Sequence, residues 1–318
     1  MSTLIIPCGG RKLIEENPLY LNRHPNGTLL IEWCMAGIHP EKFDRIIVVL
    51  LQEDVDEFSA DQKILAELGA RYPIEILVLP APTSGPADTV YYAISQAKVT
   101  GAVVVKDVDN HVQIPGDQII QGNFVAGLDL NQWERDIHNL RNKSFLILNE
   151  QGNLLDIIEK QFKSDVICLG LYGFKRAEDF LQAYKKLNDP NYPINKLYLS
   201  HIISYLIGYF GRVFHYVTAT KFENWSDKRH WNSMQQDYGL YFIDLDKELS
   251  LSKLQALQNR GATFVGYTVQ DATWGVKKRA VLESAGIQLL NIVYNCPWST
   301  VHQALDSNEA LDEQYQKL

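Results

Sequence analysis

Short β-branched apolar runs alternate with longer stretches of mixed polarity over residues 1–110. Leu4–Pro7, Ile46–Leu51, Ile74–Leu79 and Ala102–Lys106 are predicted strands, the last reading as buried on both faces. Between them, Leu29–Ile38, Asp54–Leu68 and Thr89–Lys98 carry helical spacing, the third opening after a Pro/Gly turn. This is a βαβαβαβ rhythm, the mark of a largely parallel sheet with crossover helices.

From about Gly122 to Tyr198 the pattern turns hairpin-like: Ser144–Leu148, a turn at Gln151-Gly152-Asn153, Leu154–Ile158, then Val166–Phe174. These runs predict antiparallel strands added to the same sheet. Helices are expected at Ala177–Leu187 and Tyr198–Tyr209, and the unit is expected to close near Tyr238. The alternation then restarts, with strands at Gly239–Asp244, Thr263–Thr268 and Leu289–Tyr294 and helices at Ser252–Asn259 and Val276–Ser284. The expected organisation is an α/β unit over residues 1–238, its sheet mixed but mostly parallel and flanked by helices, followed by a small α/β module over 239–318.

Composition narrows the function. With 318 residues, 46% of them hydrophobic, the chain is long enough for two cores. Thirty basic against thirty-eight acidic residues leave a net charge of −8, which argues against broad binding to nucleic-acid backbones or anionic membranes. The four cysteines show no CxxC spacing, so neither a zinc cluster nor a disulfide framework is expected, and a cytoplasmic setting is the simplest. No apolar run approaches the roughly 20 residues that span a bilayer.

Three segments could carry chemistry. The first strand runs into Cys8-Gly9-Gly10-Arg11-Lys12, where two glycines allow a ligand close to the backbone and two cations follow, a turn suited to a triphosphate or equally to an ordinary tight bend. Lys106-Asp107-Val108-Asp109-Asn110 ends an apolar strand, where ligands of open α/β sheets bind. Two aspartates two residues apart share one face of an extended strand, and such hard oxygen ligands suit Mg²⁺, the alternative being a solvated turn rich in Asp and Asn. Thr83-Ser84-Gly85-Pro86-Ala87-Asp88-Thr89 offers hydroxyls and free amides at a helix N-terminus, and helix capping would explain it as well. Glu159-Lys160 adds a cation after the hairpin or is a plain surface pair. Cys8 reads as a small packing residue rather than a nucleophile, since no partner histidine can be placed.

Taken in chain order the segments, with Pro25 to Leu30 and Ser164 to Tyr172, resemble the sugar-phosphate nucleotidyltransferase family over roughly residues 1 to 238. The resemblance implies a sheet of the nucleotide-diphospho-sugar transferase type. It also implies an NTP held by Gly9 and Gly10 with its base near Ser84, Gly85 and Thr89, and Mg²⁺ on Asp109 with Asp107 beside it. Arg11, Lys12 and Lys160 would then face developing negative charge. The reaction implied joins an NTP to a sugar phosphate or other small phosphorylated molecule with loss of pyrophosphate, in the setting of surface polysaccharide assembly; oligomeric state is left open.

The chain departs from the family twice. Leu19 stands where a lysine follows proline, and Glu223-Asn224-Trp225-Ser226-Asp227 stands where a second metal-binding carboxylate is usual, so either Glu223 or Asp227 substitutes, or one metal site remains, or the segment is a loop pinned by a core tryptophan. The tail resembles the start of a haloacid-dehalogenase-type phosphatase: Asp244 and Asp246 end its first strand and Thr268 its second. Lys247 replaces the expected glycine, so a degenerate, structural module is expected there. The rival readings are a glycosyltransferase using Asp-x-Asp for a metal, and an inactive nucleotide-binding or regulatory protein.

Overall fold

The computed structural model describes residues 2–10, 13–14, 17–115, 122–133, 137, 140–189, 191, 196–237, 239–259 and 261–295. The chain divides into two compact units, Met1–Lys228 and Arg229–Leu318.

The first unit begins with β1 (Ser2–Pro7), α1 (Leu30–Ala36), β2 (Arg45–Leu51), α2 (Gln52–Phe58), α3 (Ala60–Leu68), β3 (Ile74–Leu79), α4 (Pro86–Gln96) and β4 (Ala102–Lys106). It continues with β5 (Asn110–Gln113), β6 (Phe124–Asp129), β7 (Ser144–Leu148), β8 (Asn153–Glu159), β9 (Val166–Phe174), α5 (Ala177–Leu187), α6 (Leu199–Phe210), β10 (Phe214–Thr218) and β11 (Lys221–Asn224). Nine strands form one sheet in the order β3-β2-β1-β4-β9-β6-β10-β8-β7.

The first four strands pair in parallel, as their unbroken apolar runs predict. The expectation of a mostly parallel sheet is corrected beyond them. β9 runs antiparallel to β4 and β6, and the β7–β8 hairpin is antiparallel within itself and to β10, so β6–β10 is the parallel pair of that half. The sheet is mixed, because a hairpin needs only a tight turn, whereas parallel neighbours need a crossover. β6 and β10 were not among the predicted strands; their partners lie about 90 residues apart, with His215 opposite Phe124.

The helix expected over Asp54–Leu68 is two helices. Ser59 takes a left-handed conformation at φ 50° and breaks it, and Ala60, Ile64 and Leu68 then face inward from α3. One apolar core, including Ile5, Ile47, Val90, Val105, Phe174, Phe180, Ile203 and Phe214, lies between the sheet and α4, α5 and α6. A separate two-stranded sheet pairs β5 with β11, setting Asn110 opposite Asn224.

The second unit holds α7 (Lys228–Asp237), β12 (Leu240–Asp244), α8 (Leu251–Asn259), β13 (Thr263–Tyr267), α9 (Ala272–Ser284) and β14 (Leu289–Val293). Its three strands form a parallel sheet in sequence order, over a core that includes Ile243, Leu245, Leu254, Phe264, Leu282 and Ile287. α9 starts earlier than its apolar spacing predicts because the Asp271 carboxylate caps it, accepting from Trp274 N at 2.9 Å.

Candidate functional site

β1 pairs with β2 one residue past its end, Cys8 N donating to Val49 O at 2.9 Å, and then turns at Gly9 and Gly10. A Cβ on Gly9 would lie 2.9 Å from both Leu79 Cδ1 and Thr89 Oγ1, so this turn rests directly on the end of β3 and the start of α4. Gly10 is exposed, with open space where its side chain would be. Arg11 and Lys12 lie outside the described residues. Beneath the turn Cys8 is buried and its thiol is pushed up by that burial, with Cys34 and Asp54 adding to it, which fits a packing residue. Leu19 is likewise buried.

The start of α4 is tied by side chains. Thr83 and Thr89 hydroxyls share a 2.7 Å hydrogen bond, and Thr83 donates to Gly85 O at 3.0 Å. Ser84 donates to Asp88, whose other oxygen accepts from Tyr184 OH at 2.9 Å. Gly85 backs onto the chain before α6, where a Cβ would meet Leu197 O at 2.6 Å. Ser84, Gly85, Thr89 and Gly9 are therefore neighbours, as the sequence order implies.

Asp107 and Asp109 do not lie on an extended strand, which corrects the shared-face argument: β4 ends at Lys106, and residues 107–109 form a turn. The cause is Lys106. Its ammonium is buried and donates to Asp107 O at 2.5 Å, Asn110 O at 2.8 Å and Asn110 Oδ1 at 2.7 Å, matching three N–H groups to three acceptors and curling the chain around them. Burial lowers the Lys106 pKa, opposed by Cys34, Asp107 and Asp109. Gly170 supports the turn from β9: its carbonyl accepts from Asp107 N at 2.8 Å, its φ is 72°, and a Cβ there would overlap the Asp107 carboxylate. Trp225 supports it from the other side, donating from N to Asp109 O and from Nε1 to Val108 O, both at 3.1 Å. The two aspartates still act on common neighbours. Burial pushes the Cys34 thiol up to about 12, Lys106 opposing while Asp109 and Asp107 add.

Lys160 follows β8 at φ 55°, donates to Tyr198 OH at 2.5 Å and sits 4.1 Å above that ring. The adjoining Glu159 accepts from Ser144 Oγ and Ser200 Oγ, each at 2.6 Å. Between this corner and the aspartate turn lie Cys168 and Tyr172 of β9, both raised chiefly by burial, and Asp107 and Glu159 each raise both further. Two separate runs of contacts form: Asp107 with Gly170 of β9, and Lys160, Tyr198, Leu197, Gly85, Thr89 and Gly9 in turn. Gly9 follows the carboxyl end of β1 and Asp107 that of β4, and at the carboxyl ends of such paired parallel strands α/β folds bind ligands. Among the described residues no group of three or more His, Cys, Asp or Glu stands ready to hold a metal. The Asp107 and Asp109 pair nonetheless suits Mg²⁺, which takes one or two carboxylates and completes its shell with water and phosphate oxygens.

Glu223 was a candidate ligand on β11, and its carboxylate is engaged by neighbouring side chains. Oε2 accepts from Trp33 Nε1 at 2.8 Å and lies 3.4 Å from His24 Nε2, while Oε1 lies 2.7 Å from Lys221 Nζ. Trp33 stacks between His24 and His111, with centroids 4.7 and 4.5 Å away, and His111 Nδ1 donates to Trp33 O at 2.8 Å. Asp227 occupies a half-buried bend beyond Trp225. No local sequence signal marks the His24, Trp33, His111 and Glu223 assembly, since Trp33 and Glu223 are 190 residues apart.

In the second unit Asp244, Asp246 and Thr268 come together at the carboxyl ends of β12 and β13. Asp246 accepts from Thr268 Oγ1 at 2.7 Å and from Val269 N at 2.9 Å. Asp244 accepts from Asp246 N at 3.1 Å and lies 3.5 Å from Lys247 Nζ.

No protein-family model matches this chain, and no curated protein matches it in sequence. Its fold is shared with solved nucleotidyltransferase structures. One is a nucleoside-diphosphate-sugar pyrophosphorylase from Vibrio cholerae RC9, with a TM-score of 0.58 at 20% identity, covering 72% of this chain and 98% of that one. Another is the inositol-1-phosphate CTP transferase from T. maritima, with a TM-score of 0.55 at 11% identity, covering 81% of this chain and 95% of that one. Among the described residues, no helix is long and apolar enough to cross a membrane.

Proposed function

We propose that the first unit is a nucleotidyltransferase that joins an NTP to a sugar phosphate or similar small phosphorylated molecule and releases pyrophosphate. The observation that supports this reading is that the Gly9–Gly10 turn and the Asp107–Asp109 turn follow the carboxyl ends of the paired parallel strands β1 and β4, with Thr89 against Gly9, in a fold that the pyrophosphorylase and the CTP transferase share. In this reading the Gly9–Gly10 turn, exposed at Gly10, takes the triphosphate, with Arg11 and Lys12 following it, and Ser84, Gly85 and Thr89 line the base. The acceptor's phosphate oxygen forms a bond to the α-phosphorus as the bond to the leaving pyrophosphate breaks. Little covalent help is needed beyond in-line positioning and charge neutralisation.

Asp107 and Asp109 would hold Mg²⁺, which supplies charge neutralisation at the phosphates. Lys160, fixed by Tyr198, presents its cation near the acceptor. A nucleotide-activated sugar or polyol for surface polymer assembly is the product class. For Asp244, Asp246 and Thr268 we propose a structural role, since the carboxylates tie their own loop.

The test mixes the protein with Mg²⁺, each of the four NTPs and a panel of sugar and polyol phosphates, and follows pyrophosphate. Turnover with at least one pair, reduced at least about 100-fold by Asp109→Ala, is expected. Nucleotide binding without turnover across the panel would overturn the transferase and leave a binding protein. Transfer from a nucleotide sugar without pyrophosphate would identify a glycosyltransferase.

A further inference from the structure

β11 reaches the aspartate turn through Trp225, whose two N–H groups hold the carbonyls of Val108 and Asp109. The strand is itself anchored. Glu223 is buried, and its oxygens meet the Trp33 indole, His24 and Lys221. The next side chain, Asn224, turns its Oδ1 onto Ser226 N at 3.0 Å. A carboxylate ligating a cation needs an oxygen directed at it. Here both Glu223 oxygens are directed at α1, the loop before it, and its own strand. Its partner Trp33 is itself clamped in a three-ring stack, and its carbonyl is held by His111 of β5, the strand that continues from the turn. The anchor and the turn are thus two ends of one small sheet.

We propose that Glu223 is a positioning residue: its carboxylate fixes β11, and through Trp225 the Asp107–Asp109 turn, and it does not ligate a cation bound there. The inference rests on that turn being the cation-binding element of the proposed transferase.

The experiment uses the full chain, with Mn²⁺ binding followed by electron paramagnetic resonance, alone and with each NTP. Variants are Glu223→Gln, Trp33→Phe, which keeps the stacked ring and removes the indole donor, and the double variant. A positioning role predicts that each single change weakens Mn²⁺ binding about tenfold and that the double change adds little, because both break one anchor. Loss of at least about 100-fold in Glu223→Gln with no effect of Trp33→Phe would make Glu223 a ligand and overturn the proposal. Unaltered affinity in both would overturn it too.

If wild-type protein binds no Mn²⁺ under any condition, the transferase reading fails, and exchange of the Trp225 indole proton in ¹⁵N-tryptophan-labelled protein decides the anchor by itself. Exchange at least about tenfold faster in Glu223→Gln supports it, and unchanged exchange overturns it. Should Glu223→Gln not fold, Trp33→Phe decides by the same two readouts.

Discussion

Two aspartate-x-aspartate turns follow parallel strands in this chain, and they are stabilised in opposite ways. At Asp107–Asp109 the backbone is pinned by other groups: the Lys106 ammonium from within, Gly170 from β9 and Trp225 beyond β11. At Asp244–Asp246 the carboxylates do the pinning, reaching the Thr268 hydroxyl, the Val269 amide and Lys247. A turn whose shape comes from its neighbours keeps that shape whatever its carboxylates meet; here Asp109 Oδ1 accepts from the adjacent Asn110 Nδ2 at 3.1 Å. A turn shaped by its acidic groups needs them where they are. The same short motif is thus held by backbone partners in one unit and through its carboxylates in the other.

The largest expected effect breaks the first arrangement. Lys106→Met leaves Asp107 O, Asn110 O and Asn110 Oδ1 without their donor, and denaturant unfolding should show about 3–5 kcal/mol lost, since each stranded buried acceptor costs about 1–3 kcal/mol before repacking. A loss under about 1 kcal/mol would mean that the lysine does not hold the turn.

A comparable effect arises from pH. Burial lowers the His111 pKa from 6.5 to about 4, opposed by its bond to Trp33 O and by Glu223, with Lys221 and Lys106 lowering it further. The unfolded chain thus takes up this proton first as pH falls. The native state keeps the full contribution above about pH 6.5 and loses it on descent toward pH 4, by about 3 kcal/mol at about 1.4 kcal/mol per unit. Urea unfolding at pH 7 and pH 4.5 should show the slope in the first unit, and His111→Asn should flatten it. Residues 239–295 contain no histidine, so the second turn lacks this source of pH dependence.

The smallest effect tests the second turn. Asp246→Ala removes two hydrogen bonds from an exposed carboxylate and should destabilise the second unit by about 1 kcal/mol, with Thr268→Val giving part of that loss. A neutral Asp246→Ala would remove the contrast between the turns.

Much of the parallel half was legible because its strands are continuous apolar runs, and the strand ends are what drew the proposed site residues Gly9, Ser84, Thr89 and Asp107 from the sequence. The antiparallel half was only partly so. The Ser144–Leu148 and Leu154–Ile158 hairpin signals itself locally, whereas β6 and β10 acquire their identity from each other across 90 residues. The break at Ser59 left no mark in the helical spacing. At the site, Lys106 looked like the polar end of a strand and Gly170 like a gap in an apolar run; their joint role appears only when β4 and β9 lie side by side. The stack at Trp33 had no local pattern to betray it, and without it Glu223 reads as a spare carboxylate.

The ammonium of Lys106 sits where three oxygens point at a single spot. A small, round cation with three tetrahedral N–H bonds satisfies that convergence, whereas the flat, wider guanidinium of arginine directs its donors outward in a plane. An exchange that is harmless at most surface positions is therefore unavailable at this one, and any redesign of the cleft has to leave this one side chain alone.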